Sequence, residues 1–180
     1  MGVDHVAPRA VFLDRDGVLN EVVIRDGRPY PPYSLMELTI YPDVPGSLTR
    51  LKQAGFALVV VTNQPDVARG AQTREVVELI NARLAAALPL DEFRVCYHDD
   101  ADDCACRKPL PGLLTAAPCY DLPRSFVVGD RWRDVEAGRK AGCRTVFIDR
   151  GYTERSPVAN ARVRSLAEAV DWILQGNERP

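Results

Sequence analysis

The stretch VFLDRDGVLN (residues 11–20) ends an apolar run with two aspartates and a glycine. In an extended strand, side chains at i and i+2 lie on the same side, so Asp14 and Asp16 should point into one cleft and Arg15 away from it. Gly17 would then let the backbone turn sharply. We therefore expect a buried strand that carries two carboxylates at its carboxyl end.

Further apolar, β-rich runs alternate with helical patterns along the rest of the chain. The runs are near-continuous, as in strands buried on both faces, and cover residues 56–61, 93–97, 126–128 and 145–148. The helical patterns cover residues 45–54, 73–88, 131–141, 165–174 and a fifth segment, 111–120, that Pro118 would shorten. Thr73 is a predicted N-cap, and Gly142 stands where a helix would end. The alternation predicts an α/β fold, a Rossmann-like open parallel sheet with helices on both faces.

The size of the chain suits a single domain. Its 180 residues, 46% of them hydrophobic, are enough for one core and leave little room for a second. Residues 21–43 interrupt the alternation, and Asp26-Gly27 between two short β-like runs predicts a hairpin. We expect one domain over residues 1–180, with residues 21–43 forming a small β-hairpin flap.

Composition argues against several classes of partner. The chain has 23 basic and 25 acidic residues and a formal net charge of -2, so no overall field attracts nucleic acid or anionic membranes. The N-terminus lacks the pattern of a secretory signal, and no apolar run approaches the roughly 20 residues of a membrane span. Five cysteines, an odd number, suit a metal site or free thiols in a reducing compartment. We expect a cytoplasmic protein that binds neither nucleic acid nor membrane; its oligomeric state stays open, and a monomer is plausible.

Reactive side chains follow each predicted strand. Ligands of open α/β sheets bind at the carboxyl ends of the strands, where this chain has Asp14, Asp16, Thr62, Asn63, Gln64, Arg107, Lys108, Asp130 and Arg131. Three of these, Asp14, Asp16 and Asp130, offer oxygen ligands for a hard cation such as Mg²⁺. Mg²⁺ is usually bound by one or two carboxylates together with substrate phosphate. The pattern predicts a magnesium site and a phosphorylated small-molecule substrate.

A cysteine-rich loop, CYHDDADDCACRKP (residues 96–109), follows the third apolar run. It contains four soft ligands: Cys96, His98, Cys104 and Cys106. Three thiolates and one imidazole complete a tetrahedral Zn²⁺ site with no position left for water, which favours a structural metal. We call residues 96–106 the zinc loop. A zinc ion bound there would fix the direction in which Arg107 and Lys108 point. Reduced, unliganded cysteines and a Cys-x-Cys redox pair are the alternatives.

Four motifs taken together, DRDGVLN, VVTNQ, CRKP and GDRWRD, resemble those of the haloacid dehalogenase superfamily of phosphatases over nearly the whole chain. The resemblance implies that Asp14 is the nucleophile, forming an aspartyl phosphate, and that Asp16 is the general acid and base. It also implies that Thr62 binds the phosphoryl oxygens, that Lys108 neutralises them and that Asp130 completes the Mg²⁺ site.

The zinc loop makes the chain similar to a zinc-containing subgroup: heptose bisphosphate phosphatases and histidinol-phosphate phosphatases. This resemblance implies zinc ligation by the four loop residues, a substrate-recognition role for Arg107 and no large cap domain. Asn63, Gln64 and Arg131 are further candidates for substrate contacts. Asp134 resembles an outer partner of the metal site, although an acid in the first turn of a helix is also favoured by the helix dipole.

The residues around the site resemble two groups of enzymes that act on different substrates. TNQPDVARG (residues 62–70) is similar to the heptose enzymes, which usually have Ser-Gly where Pro65-Asp66 stands. The short zinc spacer and Arg131 look more like the histidinol-phosphate enzymes. We favour the 7-phosphate of D-glycero-D-manno-heptose 1,7-bisphosphate because of VARG, with histidinol phosphate as the alternative substrate. A phosphotransferase and a non-catalytic, zinc-stabilised phosphate-binding module are the further alternatives.

Overall fold

The fold is built on a six-stranded parallel sheet. A computed structural model describes residues 7–117 and 119–176. The strands are β1 (Ala10–Leu13), β2 (Val23–Arg25), β3 (Arg28–Tyr30), β4 (Ala57–Asn63), β5 (Glu92–Cys96), β6 (Phe126–Gly129), β7 (Arg144–Ile148) and β8 (Ala161–Val163). The main sheet has the order β5-β4-β1-β6-β7-β8, with every neighbouring pair parallel. This confirms the predicted open α/β sheet.

Helices cover both faces of the sheet. They are α1 (Val44–Gln53), α2 (Arg74–Ala87), α3 (Gly112–Thr115), α4 (Trp132–Ala141) and α5 (Leu166–Gln175). In β1, Val11 and Leu13 pack in a core with α1, α2 and α5, whereas Ala10 and Phe12 pack in a second core with α3 and α4. Because both faces are buried, both sets of alternating side chains must be apolar, which explains the continuous hydrophobic runs.

Local signals explain where two of the helices begin and where a third ends. The Thr73 side chain accepts a hydrogen bond from the Val76 amide, and Ser165 accepts one from the Glu168 amide. Gly142 ends α4 with a φ of 81°, in the left-handed region that favours glycine. The predicted helix at 111–120 is only the single turn of α3, and Pro118 lies outside the described residues.

The predicted hairpin is present in the flap, residues 21–43. Strands β2 and β3 pair antiparallel, and the two residues between them, Asp26 and Gly27, have φ angles of 49° and 72°. Positive φ at both central positions is the geometry of a type I′ turn, for which Asp-Gly is a preferred sequence. The flap thereby places Pro29, Tyr30 and Pro31 along the cleft described below.

The order of the strands determines where the cleft lies. From β1 the chain passes to β4 and β5 on one side, and β6, β7 and β8 follow on the other. The order therefore reverses at β1, and ligands of open α/β sheets bind beside such a switch point. A cavity of about 270 Å³ lies there, lined by residues from the ends of β1, β4 and β6. No helix among the described residues combines the length and the apolar character needed to cross a bilayer.

Candidate active site

Asp14 stands in the cleft at the end of the central strand. Its amide donates to the Val128 carbonyl (3.0 Å), which continues the pairing of β1 with β6. Its Oδ1 atom accepts a hydrogen bond from Lys108 Nζ at 2.9 Å. The same ammonium group donates to the Val61 carbonyl at 2.8 Å and lies 2.6 Å from Asp134 Oδ1. One buried cation therefore fixes Asp14 to the end of β4 and to the first turn of α4.

Three carboxylates, those of Asp14, Asp130 and Asp134, form a carboxylate cluster whose oxygens lie within 4.8 Å of one another. Burial raises the pKa of Asp14 to about 7; the charge of Asp134 adds to the rise and Lys108 opposes it. Burial and the charge of Asp14 also raise the pKa of Asp130 well above its usual value. Both oxygens of Asp130 are buried; the Tyr152 hydroxyl and the charge of Arg131 lower the pKa of this carboxyl but do not cancel the rise. One ammonium cannot balance three carboxylates, so the cluster fits a divalent cation with a preference for oxygen ligands, such as Mg²⁺.

Two glycines make this close packing possible. Gly17 has a φ of 87°, and a Cβ atom there would lie 1.8 Å from Asp130 Oδ2. A Cβ atom on Gly129 would lie 2.1 Å from the Cβ of Asp134. The glycine that was expected only to turn the chain therefore also admits Asp130 to the cluster.

Asp16 lines the same cleft, but its carboxylate is not part of the carboxylate cluster. Its Oδ2 atom accepts hydrogen bonds from Gln64 Nε2 (2.8 Å) and Arg15 NH2 (3.0 Å), and its Oδ1 atom accepts one from Asn20 Nδ2 (3.0 Å). Arg15 is not among the residues that line the cleft, which agrees with the prediction that it points away from it. Its guanidinium is fully buried and needs a partner, so it turns back to Asp16 and also donates to Asn81 of α2 (2.9 Å). These donors hold the Asp16 carboxylate outside the carboxylate cluster, and its role as a metal ligand stays a prediction.

Three residues at the carboxyl end of β4, Thr62, Asn63 and Gln64, contact other residues of the site. Thr62 lines the cleft, and its hydroxyl oxygen accepts a hydrogen bond from Gln64 Nε2 at 2.9 Å. Asn63 also lines the cleft, and its amide group pairs with the backbone N–H and carbonyl of Lys108 at 3.1 and 3.0 Å. Gln64 is buried and contacts Asp16. The amides expected to bind substrate therefore hold Lys108 and Asp16 in place.

Arginines line the mouth of the cleft. Arg107 is buried and donates through Nε to Asp100 Oδ1 at 2.7 Å. Arg131 pairs with Glu154 and lies over the ring of Tyr152, 5.6 Å from its centroid. Two further arginines of the lining, Arg69 and Arg133, were not among the predicted site residues. VARG was visible in the sequence, but only the fold brings Arg69 to this cleft.

The four predicted zinc ligands lie together in the zinc loop. Cys96 Sγ lies 3.8 Å from Cys104 Sγ and 3.2 Å from Cys106 Sγ, and the latter two sulfurs are 3.6 Å apart. His98 Nδ1 is 3.6 Å from the first sulfur and 3.3 Å from that of Cys106. Tetrahedral Zn²⁺ with bonds of about 2.3 Å separates its sulfur ligands by about 3.8 Å, so the spacing fits a zinc ion.

Comparison with known proteins finds close relatives along most of the chain. The HAD-hydrolase-like family matches residues 105–173. The D-glycero-beta-D-manno-heptose-1,7-bisphosphate 7-phosphatase of Bordetella bronchiseptica is 36% identical, covering 93% of this chain and 98% of the relative. The enzyme of the same name from Escherichia coli K12 is 33% identical, covering 92% and 87%. A crystal structure of the B. bronchiseptica D,D-heptose 1,7-bisphosphate phosphatase, complexed with magnesium and phosphate, has a TM-score of 0.75 at 29% identity and covers 93% of this chain and 99% of that one.

Proposed function

Because this chain belongs to the haloacid dehalogenase (HAD)-like hydrolases, we propose that it is a phosphatase that removes the 7-phosphate of D-glycero-β-D-manno-heptose 1,7-bisphosphate. Water is the acceptor, and the products are heptose 1-phosphate and inorganic phosphate. The β configuration follows the names of the relatives. The observation that carries the chemistry is the position of Asp14, which lies in the cleft between Lys108 and two further carboxylates.

In the first step an Asp14 oxygen attacks the phosphorus, and the bond from phosphorus to the sugar oxygen breaks. Asp16 lies in the same cleft and gives a proton to the leaving oxygen. Lys108 balances charge on the phosphoryl group. The Thr62 hydroxyl accepts its hydrogen bond from Gln64, so its own proton is free to donate to a phosphoryl oxygen. The result is an aspartyl phosphate and the free sugar alcohol.

In the second step water attacks the phosphorus of the aspartyl phosphate, and the bond to Asp14 breaks. Asp16, now a carboxylate, takes a proton from the attacking water and returns to its starting state. Gln64, Asn20 and Arg15 supply the hydrogen bonds that orient this carboxylate. Phosphate leaves, and Asp14 is regenerated.

Asp14, Asp130 and Asp134 would hold Mg²⁺, directly or through water. When bound, Mg²⁺ neutralises charge on the phosphoryl group in the transition state. The four residues of the zinc loop would hold a structural Zn²⁺. Arg107 and Lys108 directly follow the ligand Cys106, so the metal would also fix where these two residues enter the cleft.

We assign the enzyme to the cytoplasm, because reduced cysteines and zinc thiolates suit a reducing compartment. The proposal includes a single domain for residues 1–180, with the flap and the zinc loop in place of a large cap.

Phosphate release in the presence of Mg²⁺ tests the substrate assignment. We would measure kcat/KM side by side for the β and α anomers of the heptose bisphosphate and for histidinol phosphate. The β bisphosphate should give the highest value, with one heptose 1-phosphate formed for each phosphate released. A preference for histidinol phosphate would overturn the substrate, and phosphate transfer to an added alcohol in place of release would overturn hydrolysis.

A further inference from the structure

A partly buried hydrogen bond ties the flap to the loop that follows β4. The Tyr33 hydroxyl donates to Asp66 Oδ2 at 2.8 Å, and Asp66 is only 7% exposed. Beside it, Gln72 Nε2 donates to the Pro32 carbonyl at 3.1 Å. Two consecutive flap residues are therefore held by the same loop, residues 64–72.

Both partners of this hydrogen bond are themselves held in place. The Tyr33 ring lies under the guanidinium of Arg25, 4.2 Å from its centroid, and the Tyr33 amide donates to Glu37 Oε2 at 2.7 Å. Burial and the bond to Asp66 raise the pKa of Tyr33 to about 12, so the hydroxyl keeps the proton that it donates. Arg69 NH1 lies 3.5 Å from Asp66 Oδ1 and balances its charge.

The contact also links the flap to the zinc loop. Arg69 donates through Nε and NH2 to the two carboxylate oxygens of Asp99, at 2.8 and 2.5 Å. Asp66 thus lies between the flap and an arginine that is bound to the zinc loop. Asp66 and Arg69 both line the cleft, as does the flap segment that directly precedes Tyr33, namely Pro29, Tyr30 and Pro31.

We propose that Tyr33 and Asp66 form a latch that holds the flap closed over the bound sugar bisphosphate, which makes Asp66 a specificity-determining position. Both are positioning residues, since they act on the substrate through Pro29, Tyr30 and Pro31. The inference rests on the proposed function for the identity of the substrate.

The latch should affect binding more than chemistry. If only the closed flap binds the sugar bisphosphate well, the apparent affinity falls in proportion to the closed fraction. Removing the Tyr33 hydroxyl takes away the hydrogen bond to Asp66 Oδ2 and leaves the longer contact of Arg69 with Oδ1 to compensate this buried carboxylate, which favours opening. The reacting groups at Asp14 and Lys108 are untouched. We expect KM for the bisphosphate to rise about five- to tenfold and kcat to change less than about twofold.

The test compares Tyr33→Phe and Asp66→Ala with the conservative Asp66→Asn, whose amide oxygen can still accept the bond. Tyr120→Phe is the matched control, because it removes a tyrosine–carboxylate bond of 3.0 Å to Glu92 at the amino end of β5. Tyr33→Phe and Asp66→Ala should raise KM similarly, and the double variant should be no worse than either. Asp66→Asn should restore most of the affinity. Tyr33→Phe and Tyr120→Phe should hydrolyse p-nitrophenyl phosphate within about twofold of wild type, since this small ester does not need the flap and neither tyrosine lines the cleft.

Hydrogen–deuterium exchange measures the latch without reference to the substrate. Exchange of flap amides, residues 21–43, should be faster in Tyr33→Phe and Asp66→Ala than in wild type and unchanged in Tyr120→Phe. Unchanged flap exchange together with unchanged KM would overturn the latch, as would an equal rise of KM in Tyr120→Phe. If wild type does not hydrolyse the heptose bisphosphate, the proposed substrate fails, and the exchange rates still decide whether the latch exists.

Discussion

Lys108 Nζ lies 2.6 Å from Asp134 Oδ1, and both side chains are 2% exposed. Lys108, which lies just after the zinc loop, is thus anchored to the first turn of α4. Burial lowers the pKa of Lys108, but the charges of Asp134 and Asp14 outweigh it and raise the pKa above its usual value. The ammonium therefore stays charged at the pH of the cell.

Replacing Asp134 tests whether this carboxylate belongs to the metal site. Asp134→Ala removes one acceptor of the buried ammonium and one member of the carboxylate cluster. We expect the free energy of unfolding to fall by about 2–3 kcal/mol, which is below the usual range for a broken buried ion pair because Asp14 still pairs with Lys108. We also expect half-maximal activity to require an at least tenfold higher Mg²⁺ concentration. Glu136→Ala is the control, because it removes only the surface pair with Arg139 on the same helix. An unchanged Mg²⁺ requirement in Asp134→Ala would show that Asp134 is only a helix-start acid.

The raised pKa values of Asp14 and Asp130 predict that stabilisation by Mg²⁺ depends on pH. Without the metal, the folded protein holds protons on these carboxyls at a pH where the unfolded chain, with an aspartate pKa of about 3.9, has lost them. Their contribution to stability therefore falls as the pH rises from about 4 towards about 7. Mg²⁺ binds the deprotonated cluster, so the rise in Tm on adding Mg²⁺ should be larger at pH 7.5 than at pH 5. Thermal unfolding with and without Mg²⁺ at the two pH values measures this rise in Tm. An equal rise at both pH values would contradict the assignment of Asp14 and Asp130 to the metal site.

Zinc should be present at about one equivalent in protein purified without added metal. Cys104→Ser should lose the ion and lower Tm, because the remaining ligands no longer complete the tetrahedron. Cys119→Ser is the matched control, since Cys119 is exposed and lies outside the four-residue set. Metal analysis and thermal unfolding provide the readout. Zinc-free protein whose Tm is unchanged by a chelator would rule out the structural metal.

Asp100 should compete with the substrate for Arg107. Its side chain is 66% exposed, lines the cleft and accepts a hydrogen bond from Arg107 Nε at 2.7 Å. Exposed pairs are worth about 0.2–1 kcal/mol, so Asp100→Asn should lower KM for the bisphosphate about two- to threefold. Asp103→Asn is the matched control, because it removes the same negative charge from the same loop. Asparagine tolerates the positive φ of 46° at this position. A higher KM in Asp100→Asn would instead mean that Asp100 holds Arg107 in its binding position.

The sequence predicted those parts of the fold that depend on local chemistry. Continuous apolar runs identified the buried strands, whereas β8 escaped because its three residues at the sheet edge are at most half-buried. The i, i+2 rule placed Asp14 and Asp16 in one cleft and Arg15 outside it, but it could not show that Arg15 would donate to Asp16 and Asn81.

Contacts between distant segments could not be predicted in this way. Asp134 enters the carboxylate cluster because Gly129 lets its helix approach β6, and Tyr33 of the flap reaches Asp66 in the loop that follows β4. No periodicity in the sequence links either pair.

The most direct measurement is to trap the phosphoryl group on Asp14. Asp16→Asn with p-nitrophenyl phosphate should form the aspartyl phosphate, since this leaving group needs little protonation, and should hydrolyse it slowly. Borohydride reduction converts an aspartyl phosphate to homoserine, and Asp14 is the only carboxylate in the tryptic peptide of residues 10–15. We predict a burst of p-nitrophenol of about one equivalent and homoserine at position 14. Turnover without a burst and with an unmodified 10–15 peptide would contradict Asp14 as the nucleophile.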